Sequence, residues 1–192
     1  MELTLATDRL ILRPLELSDI DLVTEMYTDP VVVQFIGSGE PRSVETIRNE
    51  LPSWTIRRAG GAVGRWCIQV AATGEKVGNA LLVPLPVEDT AIDDVSEIDL
   101  SKVELEVGYI FKSSAWGKGY ATEACRCLIR FAFEFLPLDE IAAVLQEENT
   151  ASWRVLEKSG LTYRGPRRAY ARQLPDFRIS REQWLAGDGM AR

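Results

Sequence analysis

The chain has 192 residues, 46% of them hydrophobic and 27% charged, which is typical of a globular domain with a substantial core. Its formal net charge of -7 argues against general nucleic-acid binding, and the absence of histidine excludes Ser-His-Asp and Cys-His catalysis as well as HExxH zinc sites. Because it lacks a long apolar run and a signal-peptide pattern, we expect one cytoplasmic domain over residues 1–192, with no metal, nucleic-acid or membrane partner.

The first part of the chain predicts a strand followed by two helices. Residues 9–14 alternate as in a strand, and Ser18 is positioned to cap a helix that runs to about Thr28. Ser43 is positioned to cap a second helix, which Pro52 interrupts or kinks because proline lacks the N–H that a helix interior needs.

A hairpin and an acidic segment follow. Residues 66–71 and 77–85 predict two antiparallel strands joined by a turn at Gly74. Between Pro86 and Ser101 there is no basic residue, which is typical of a loop. This loop is either a solvated insert or a rim that attracts a cationic substrate. Its acidic residues are Glu88, Asp89, Asp93, Asp94, Glu97 and Asp99.

Residues 102–111 show the most regular strand pattern in the chain. Glu104, Glu106, Gly108 and Ile110 fall on one face, and apolar residues occupy the other. Two carboxylates are therefore expected to share one face of this strand.

The second half of the chain predicts an amphipathic helix over residues 121–136, where apolar residues recur at i, i+3, i+4 and i+7 spacing. A short strand over residues 140–145, a helix over residues 151–159 and further strands in the tail follow. The three cysteines contain no CxxC pair, so we expect them to be buried rather than to bind metal. They are Cys67, Cys125 and Cys127.

The turn from Trp116 to Gly119 lies between the predicted strand and the long helix. Its glycines would let an anion approach the free N–H groups at the helix start, but a plain connection that needs glycine for its backbone angles fits equally well. A dinucleotide fingerprint would need glycine at Thr122, and a Walker loop would need Ser or Thr at Gly119. Both nucleotide motifs are therefore excluded.

The sequence around this turn resembles the acetyl-CoA motif of the GNAT superfamily of N-acetyltransferases. Residues 106–124 read Glu-Val-Gly-Tyr-Ile-Phe-Lys-Ser-Ser-Ala-Trp-Gly-Lys-Gly-Tyr-Ala-Thr-Glu-Ala. Residues 149–161, which read Asn-Thr-Ala-Ser-Trp-Arg-Val-Leu-Glu-Lys-Ser-Gly-Leu, resemble the second family motif. Residues 7–14 and 182–184 are similar to the subgroup that includes the ribosomal-protein N-terminal acetyltransferases.

The resemblance implies an α+β (α/β three-layer) fold with a mixed, mostly antiparallel sheet of six to seven strands, splayed central strands and about four flanking helices. It implies acetyl-CoA as the acyl donor. The pantetheine arm would lie between the splayed strands, held by the backbone of Ile110 and Phe111. The pyrophosphate would be surrounded by Gly117, Gly119 and Ala121. Ser114 stands where the family has Gln or Arg, which is a departure from the motif. The other cofactor-binding positions implied are Ser114, Trp116, Lys118, Tyr120, Asn149 and Ser152.

Transfer to an amine requires a base, because an amine is mostly protonated near neutral pH. Without histidine, Glu104 and Glu106 are the candidates, and Glu106 is favoured because it lies nearer the splayed end of its strand. Each glutamate could instead lie on an exposed face or pair with an arginine. By resemblance, Ser152 would lie near the thioester sulfur with Asn149 beside it, although both can also cap the following helix.

The sequence therefore predicts an acetyl-CoA-dependent N-acetyltransferase that acts by direct transfer to a primary amine. The acceptor is either a protein N-terminus or a small amine such as an aminoglycoside, a polyamine or an amino-acid derivative. A non-catalytic acyl-CoA-binding regulatory module and an NAD- or ATP-dependent enzyme are alternatives. Tyr163 and Tyr170 are either reserve acids or packing residues. We expect a monomer or a homodimer.

Overall fold

A computed structural model of the chain describes residues 2–86 and 98–187. These residues contain eight strands and six α-helices. The strands are β1 (Leu5–Ala6), β2 (Leu10–Pro14), β3 (Gly64–Val70), β4 (Lys76–Pro84), β5 (Leu105–Phe111), β6 (Glu140–Val144), β7 (Thr162–Ala169) and β8 (Arg172–Ser180). The helices are α1 (Ile20–Thr28), α2 (Pro30–Val33), α3 (Val44–Trp54), α4 (Tyr120–Phe135), α5 (Thr150–Lys158) and α6 (Arg181–Ala186).

The strands form one mixed sheet in the order β1-β2-β3-β4-β5-β6-β8-β7. All neighbouring pairs are antiparallel except β5 and β6, which run parallel. The predicted α+β fold is therefore confirmed, with eight strands in the described residues instead of six or seven. The two-residue edge strand β1 and the short helices α2 and α6 were not predicted, because segments of six residues or fewer carry little periodicity.

Helices cover both faces of the sheet. On one face, α4 packs over a core that includes Trp66, Ile68 and Leu82, while on the other face α1 and α3 pack over Cys67 and Ile110. Successive β3 residues alternate between the two cores, as side chains in a strand do. The prediction that all three cysteines are buried is confirmed.

The start of α1 differs from the prediction. Asp19, not Ser18, precedes the helix, and its carboxylate accepts a hydrogen bond from the backbone N–H of Glu16 at 3.0 Å. Asp19 is fully buried and also forms an ion pair with Arg13 at 2.6 Å, which fixes the carboxylate at this turn. The capping role predicted for Ser18 was therefore wrong, and its hydroxyl donates to the Glu16 carboxylate instead.

The second predicted helix, α3, begins as expected. The Ser43 hydroxyl accepts a hydrogen bond from the backbone N–H of Thr46 at 3.0 Å. Pro52 lies in the last turn, and the helix ends two residues later at Trp54. Pro52 therefore does not interrupt the helix interior, where the loss of an N–H is costly.

The β3–β4 hairpin is present, and Gly74 in its turn has a φ of +71°. Strand β5 begins at Leu105, so Glu104 lies just before the strand and not inside it as predicted. Of the acidic segment predicted to form a loop, residues 87–97 lie outside the described residues. Asp99, which is described, forms an ion pair with Lys102 at 2.8 Å.

Candidate active site

The candidate site lies in the gap between the parallel strands β5 and β6. In the described part of the chain one residue pair, Glu106 and Ala142, joins these strands. Two adjoining cavities open along the gap, of about 860 Å³ (the large cavity) and about 470 Å³ (the small cavity). The predicted splay of the central strands is therefore confirmed. The residues that line both cavities are Phe35, Ile36, Tyr109, Ile110, Asn149 and Ser152.

The glycine turn at the start of α4 lines the small cavity. Gly117 has a φ of +73° and Gly119 a φ of +80°, in the left-handed region where a side chain is strained. A Cβ added at Gly117 would meet no atom within 4 Å, so the backbone there faces open space. Since α4 is 16 residues long and Gly119 is its N-cap, the free N–H groups of its first turn favour an anion at this end of the cavity.

The glycine turn is anchored from the far edge of the sheet. The Arg9 guanidinium donates a hydrogen bond to the backbone carbonyl of Lys118 at 2.9 Å and forms an ion pair with Glu123 at 2.6 Å. The Thr7 hydroxyl donates to the same carboxylate at 2.6 Å. Residues near the N-terminus thereby restrain the turn, which the sequence alone did not indicate.

Two cationic side chains that sequence reasoning missed also line the small cavity. Arg154 and Lys158 lie on α5, four residues apart and hence on one helix face. Their charge would favour phosphate groups opposite the glycine turn. The i, i+4 spacing of two cations was visible in the sequence, but no neighbouring strand or helix could be assigned to that face.

The other predicted cofactor-binding residues divide into two groups. Phe111, Trp116, Gly117, Gly119, Tyr120 and Ala121 line the small cavity together with Ile110, Asn149 and Ser152. Ser114 and Lys118, both exposed in the described structure, line neither cavity. The Trp116 indole N–H donates a hydrogen bond to the backbone carbonyl of Phe111 at 3.0 Å, so this ring lies against the end of β5.

Asn149 and Ser152 lie where α5 begins. The Asn149 side-chain oxygen accepts a hydrogen bond from the backbone N–H of Ser152 at 3.1 Å, which caps the helix. The Ser152 carbonyl in turn accepts a hydrogen bond from the Tyr109 hydroxyl of β5 at 3.3 Å. The cap therefore holds both residues at the boundary between the two cavities.

Glu106 is the buried acid of the large cavity. Its residue is 7% exposed, and burial raises the pKa of its carboxyl to about 7. The hydrogen bond from Tyr170 and the positive charge of Arg65 limit this rise in pKa. Glu106 can thus exchange a proton near neutral pH, as a general base must.

Tyr170 is placed over Glu106 by a tight turn. Tyr170 and Ala171 connect β7 to β8 with φ values of +51° and +56°, which are unfavourable for residues other than glycine. The Tyr170 hydroxyl donates a hydrogen bond to the Glu106 carboxylate. Burial and the neighbouring carboxylate raise the pKa of Tyr170, so its hydroxyl stays protonated.

Glu104 does not share this environment. Its carboxylate forms ion pairs with Arg167 and Arg178, and Glu104 lines neither cavity. Glu104 therefore pairs with arginines, which was the alternative to a catalytic role, while Glu106 lines the large cavity. Tyr163 packs against Trp153 and Phe177 at ring-centroid distances of 5.1 and 5.6 Å and likewise lines neither cavity.

The arrangement places the glycine turn and a buried carboxyl of raised pKa along one gap. In the described residues no three His, Cys, Asp or Glu side chains are grouped as metal ligands would be. Nor does any described helix combine the length and hydrophobicity needed to cross a membrane.

Comparison with known proteins gives a consistent picture. A model of the acetyltransferase (GNAT) domain family matches residues 9–162. An uncharacterized N-acetyltransferase, p20 of Bacillus licheniformis, is 30% identical over 167 residues, covering 87% of this chain and 86% of that protein. The FsC-acetyl coenzyme A-N(2)-transacetylase of Aspergillus fumigatus is 29% identical over 190 residues, covering 95% of this chain and 78% of that protein.

A solved structure of the aminoglycoside acetyltransferase AAC(6')-Ib, in complex with ribostamycin and coenzyme A, is similar in fold. The TM-score is 0.75 at 18% sequence identity, and the match covers 93% of this chain and 97% of that one. At this identity the likeness concerns the fold.

Proposed function

The chain belongs to the GNAT acetyltransferase family, and we propose that it transfers the acetyl group of acetyl-CoA directly to a primary amine. The observation that carries the proposal is the position of Glu106, a buried carboxyl whose pKa is raised to about 7, in a cavity that adjoins the glycine turn. A donor site and a proton acceptor then meet where Asn149 and Ser152 line both cavities.

The small cavity fits a phosphorylated acyl donor. Gly117 and Gly119 open the backbone at the N-terminus of α4, and Arg154 and Lys158 supply positive charge from α5. Acetyl-CoA, when bound, supplies an acetyl group activated as a thioester. The backbone of Ile110 and Phe111, at the end of β5, would align its pantetheine arm in the gap.

The large cavity would take the acceptor amine. The Glu106 carboxylate would accept a proton from the ammonium form, directly or through a water, so that the nitrogen lone pair becomes available for attack. Tyr170 would hold the carboxylate in place through its hydrogen bond. On the donor side, the Ser152 hydroxyl would donate a hydrogen bond to the sulfur as it leaves.

Direct transfer, without an acyl-enzyme, is supported by the state of the cysteines. Burial raises the pKa of both Cys67 and Cys125 to about 12 and also raises that of Cys127. None of the three lines either cavity in the described structure. A thiol that is buried and protonated is a poor nucleophile.

Two acceptor classes fit this proposal. The likeness of residues 7–14 and 182–184 to the ribosomal-protein N-terminal acetyltransferases favours a peptide N-terminus. The relatives that act on small molecules, among them the FsC transacetylase, favour a small amine. Both present a primary amine to Glu106.

The test is CoA release from acetyl-CoA in the presence of N-terminal peptides, amino-acid derivatives, polyamines and aminoglycosides, with mass spectrometry of the acetylated product. We expect release that depends on an amine and a product acetylated on nitrogen. If CoA raises the melting temperature but no amine is acetylated, the chain is a non-catalytic acyl-CoA-binding module. If neither CoA nor acetyl-CoA changes the melting temperature, the donor assignment is wrong.

A further inference from the structure

The large cavity has the opposite charge balance from the chain as a whole. The formal net charge of the chain is -7. Among the described residues that line the large cavity, however, three are arginines and one is a carboxylic acid, Glu106. The arginines are Arg42, Arg65 and Arg172. The walls of this cavity therefore favour a ligand that carries negative charge.

One of the three arginines is already neutralised. Arg42 forms an ion pair with Glu50, and its guanidinium lies 5.3 Å from the ring centroids of both Tyr27 and Trp54. This arrangement fixes Arg42 in the wall of the cavity. It leaves Arg65 and Arg172 as the cations that a ligand could use.

Arg65 has no carboxylate within ion-pair distance among the described residues. Its guanidinium lies 5.1 Å from the ring centroid of Trp54, which orients the planar group without using its hydrogen-bond donors. Arg172, at the start of β8, donates one hydrogen bond to the Gly37 carbonyl at 3.0 Å and likewise has no described carboxylate partner. A guanidinium has five N–H donors, so both side chains retain donors for a ligand.

Arg65 and Glu106 lie on the same face of the sheet. Arg65 is opposite Leu81 on β4, Leu81 is opposite Gly108 on β5, and Glu106 is two residues from Gly108. Two strand spacings, roughly 10 Å, separate the backbones of β3 and β5. Both side chains line the large cavity between these strands and solvent, so one ligand can place an amine at Glu106 and an anionic group at Arg65.

Building on the proposed function, we propose that the acceptor is a primary amine that carries an acidic group, with its ammonium at Glu106 and its anion at Arg65 and Arg172. The ammonium loses its proton to Glu106, while the carboxylate or phosphate stays ionised and accepts hydrogen bonds from the guanidinium groups. Polyamines and aminoglycosides, which carry several positive charges, are disfavoured by the same arginines.

Two sources can present this chemistry. One is a small amine with a carboxylate or phosphate, and the other is a peptide whose N-terminal amine is followed by an acidic side chain. Matched probes separate them: 4-aminobutyrate against 4-aminobutyramide and β-alanine against β-alaninamide for small molecules, and Ser-Asp-Ala-amide against Ser-Asn-Ala-amide for peptides. Spermidine and kanamycin serve as cationic probes.

Binding is measured by calorimetry on the full chain saturated with CoA, and turnover is measured separately with acetyl-CoA. We expect the acidic member of at least one pair to bind roughly tenfold or more tightly than its amide, as a charge-assisted hydrogen bond allows. Arg65→Gln should abolish this preference and raise KM more than it lowers kcat. Arg172→Gln should weaken it, and Arg48→Gln, on α3 outside both cavities, should leave it unchanged.

The outcomes distinguish the two proposals. An acid preference in binding without any turnover supports the charge assignment and contradicts the proposed acetyl transfer. Turnover with equal binding of acid and amide, or with a preference for spermidine or kanamycin, overturns the acidic-acceptor inference and leaves acetyl transfer intact. A loss of CoA affinity in folded Arg65→Gln with no change in acceptor binding also overturns it, because Arg65 would then serve the donor.

Discussion

The Tyr170 hydroxyl donates a hydrogen bond to the carboxylate of Glu106, joining the β7–β8 turn to the middle of the sheet. Tyr170 and the following Ala171 both have positive φ values, which cost free energy in residues with a side chain. The turn has no glycine to relieve this strain. We infer that the strain in this turn accompanies a function, which is to position the hydroxyl over the acid.

A Tyr170→Phe substitution tests this role. The hydrogen bond lowers the pKa of Glu106, and burial raises it, so removing the bond should raise the pKa further above its value of about 7. We expect the pH at which kcat/KM is half-maximal to move up by roughly one unit, since such bonds contribute about 1.5 kcal/mol or more. The measurement is a pH–rate profile of wild type and variant.

Tyr163→Phe is the matched control, because Tyr163 lies outside both cavities and packs on Trp153. Its pH–rate profile should superpose on that of the wild type. An unchanged profile for Tyr170→Phe would show that the hydrogen bond does not act on the base.

Replacing the base itself should separate chemistry from donor binding. In Glu106→Gln we expect kcat to fall by about 10²- to 10⁴-fold, the usual contribution of a general base. The Kd for CoA should change little, because Glu106 lines the large cavity and not the small one. A timed assay of CoA release gives kcat, and calorimetry gives the Kd for CoA.

Glu104→Gln is the comparison for this experiment. Glu104 is paired with Arg167 and Arg178 outside the cavities, so its loss should leave kcat within a few-fold of wild type. Equal losses in the two variants would contradict the assignment of the base to Glu106.

The raised pKa of Glu106 also predicts how stability depends on pH. Its carboxyl has an ordinary pKa of 4.5 and a folded-state pKa of about 7, so between these values the folded chain binds more protons than the unfolded chain. This group's contribution to the free energy of unfolding therefore falls as the pH rises from about 4.5 to about 7, by at most about 3 kcal/mol, and is level above that.

Glutamine does not ionise, so the free energy of unfolding of Glu106→Gln should not show this fall with rising pH. The difference in unfolding free energy, variant minus wild type, should become more positive by up to about 3 kcal/mol between pH 4 and pH 8. Denaturant unfolding at a series of pH values measures it. Parallel curves for the two proteins would show that the acid is not destabilised by burial.

Sequence patterns predicted the fold well where the alternation of apolar and polar residues continues over many residues. Strands β3 and β4 and helix α4 lie within two residues of the expected bounds, because each buries a regular series of side chains. The capping of α1 was missed because Asp19 is held by ion pairs with Arg13 on β2 and Lys76 on β4, and sequence patterns do not place these strands beside that helix start. Such partners become visible once strands β2 and β4 are placed.

The candidate site was predictable in part for the same reason. The glycine turn is a local motif, so the sequence showed it. Glu104 and Glu106 lie on the same face of the predicted strand, so Glu106 was favoured only by its position nearer the splayed end. Their difference arises from β8 and its turn, which bring Arg178 to Glu104 and Tyr170 to Glu106. The arginines of the large cavity come from three separate segments and have no common motif.

The glycine turn gives a prediction with a closely matched control. Gly117 has a φ of +73° and Gly74 a φ of +71°, and an added Cβ would meet no atom within 4 Å at either position. Alanine should therefore destabilise the fold similarly at both, by roughly 1 kcal/mol, because both residues must keep a left-handed backbone. Of the two, only Gly117 lines the small cavity, where a bound donor would approach its backbone.

We accordingly expect Gly117→Ala to weaken CoA binding about tenfold or more, and Gly74→Ala to leave it unchanged, since Gly74 lies in the β3–β4 hairpin away from both cavities. Thermal unfolding of the two variants without ligand should give similar melting temperatures, and calorimetry with CoA should then separate them. If both variants bind CoA as the wild type does, the inference that the donor approaches the backbone of the glycine turn is wrong. If both variants lose CoA affinity equally, the loss results from lower stability of the fold and not from a change at the glycine turn.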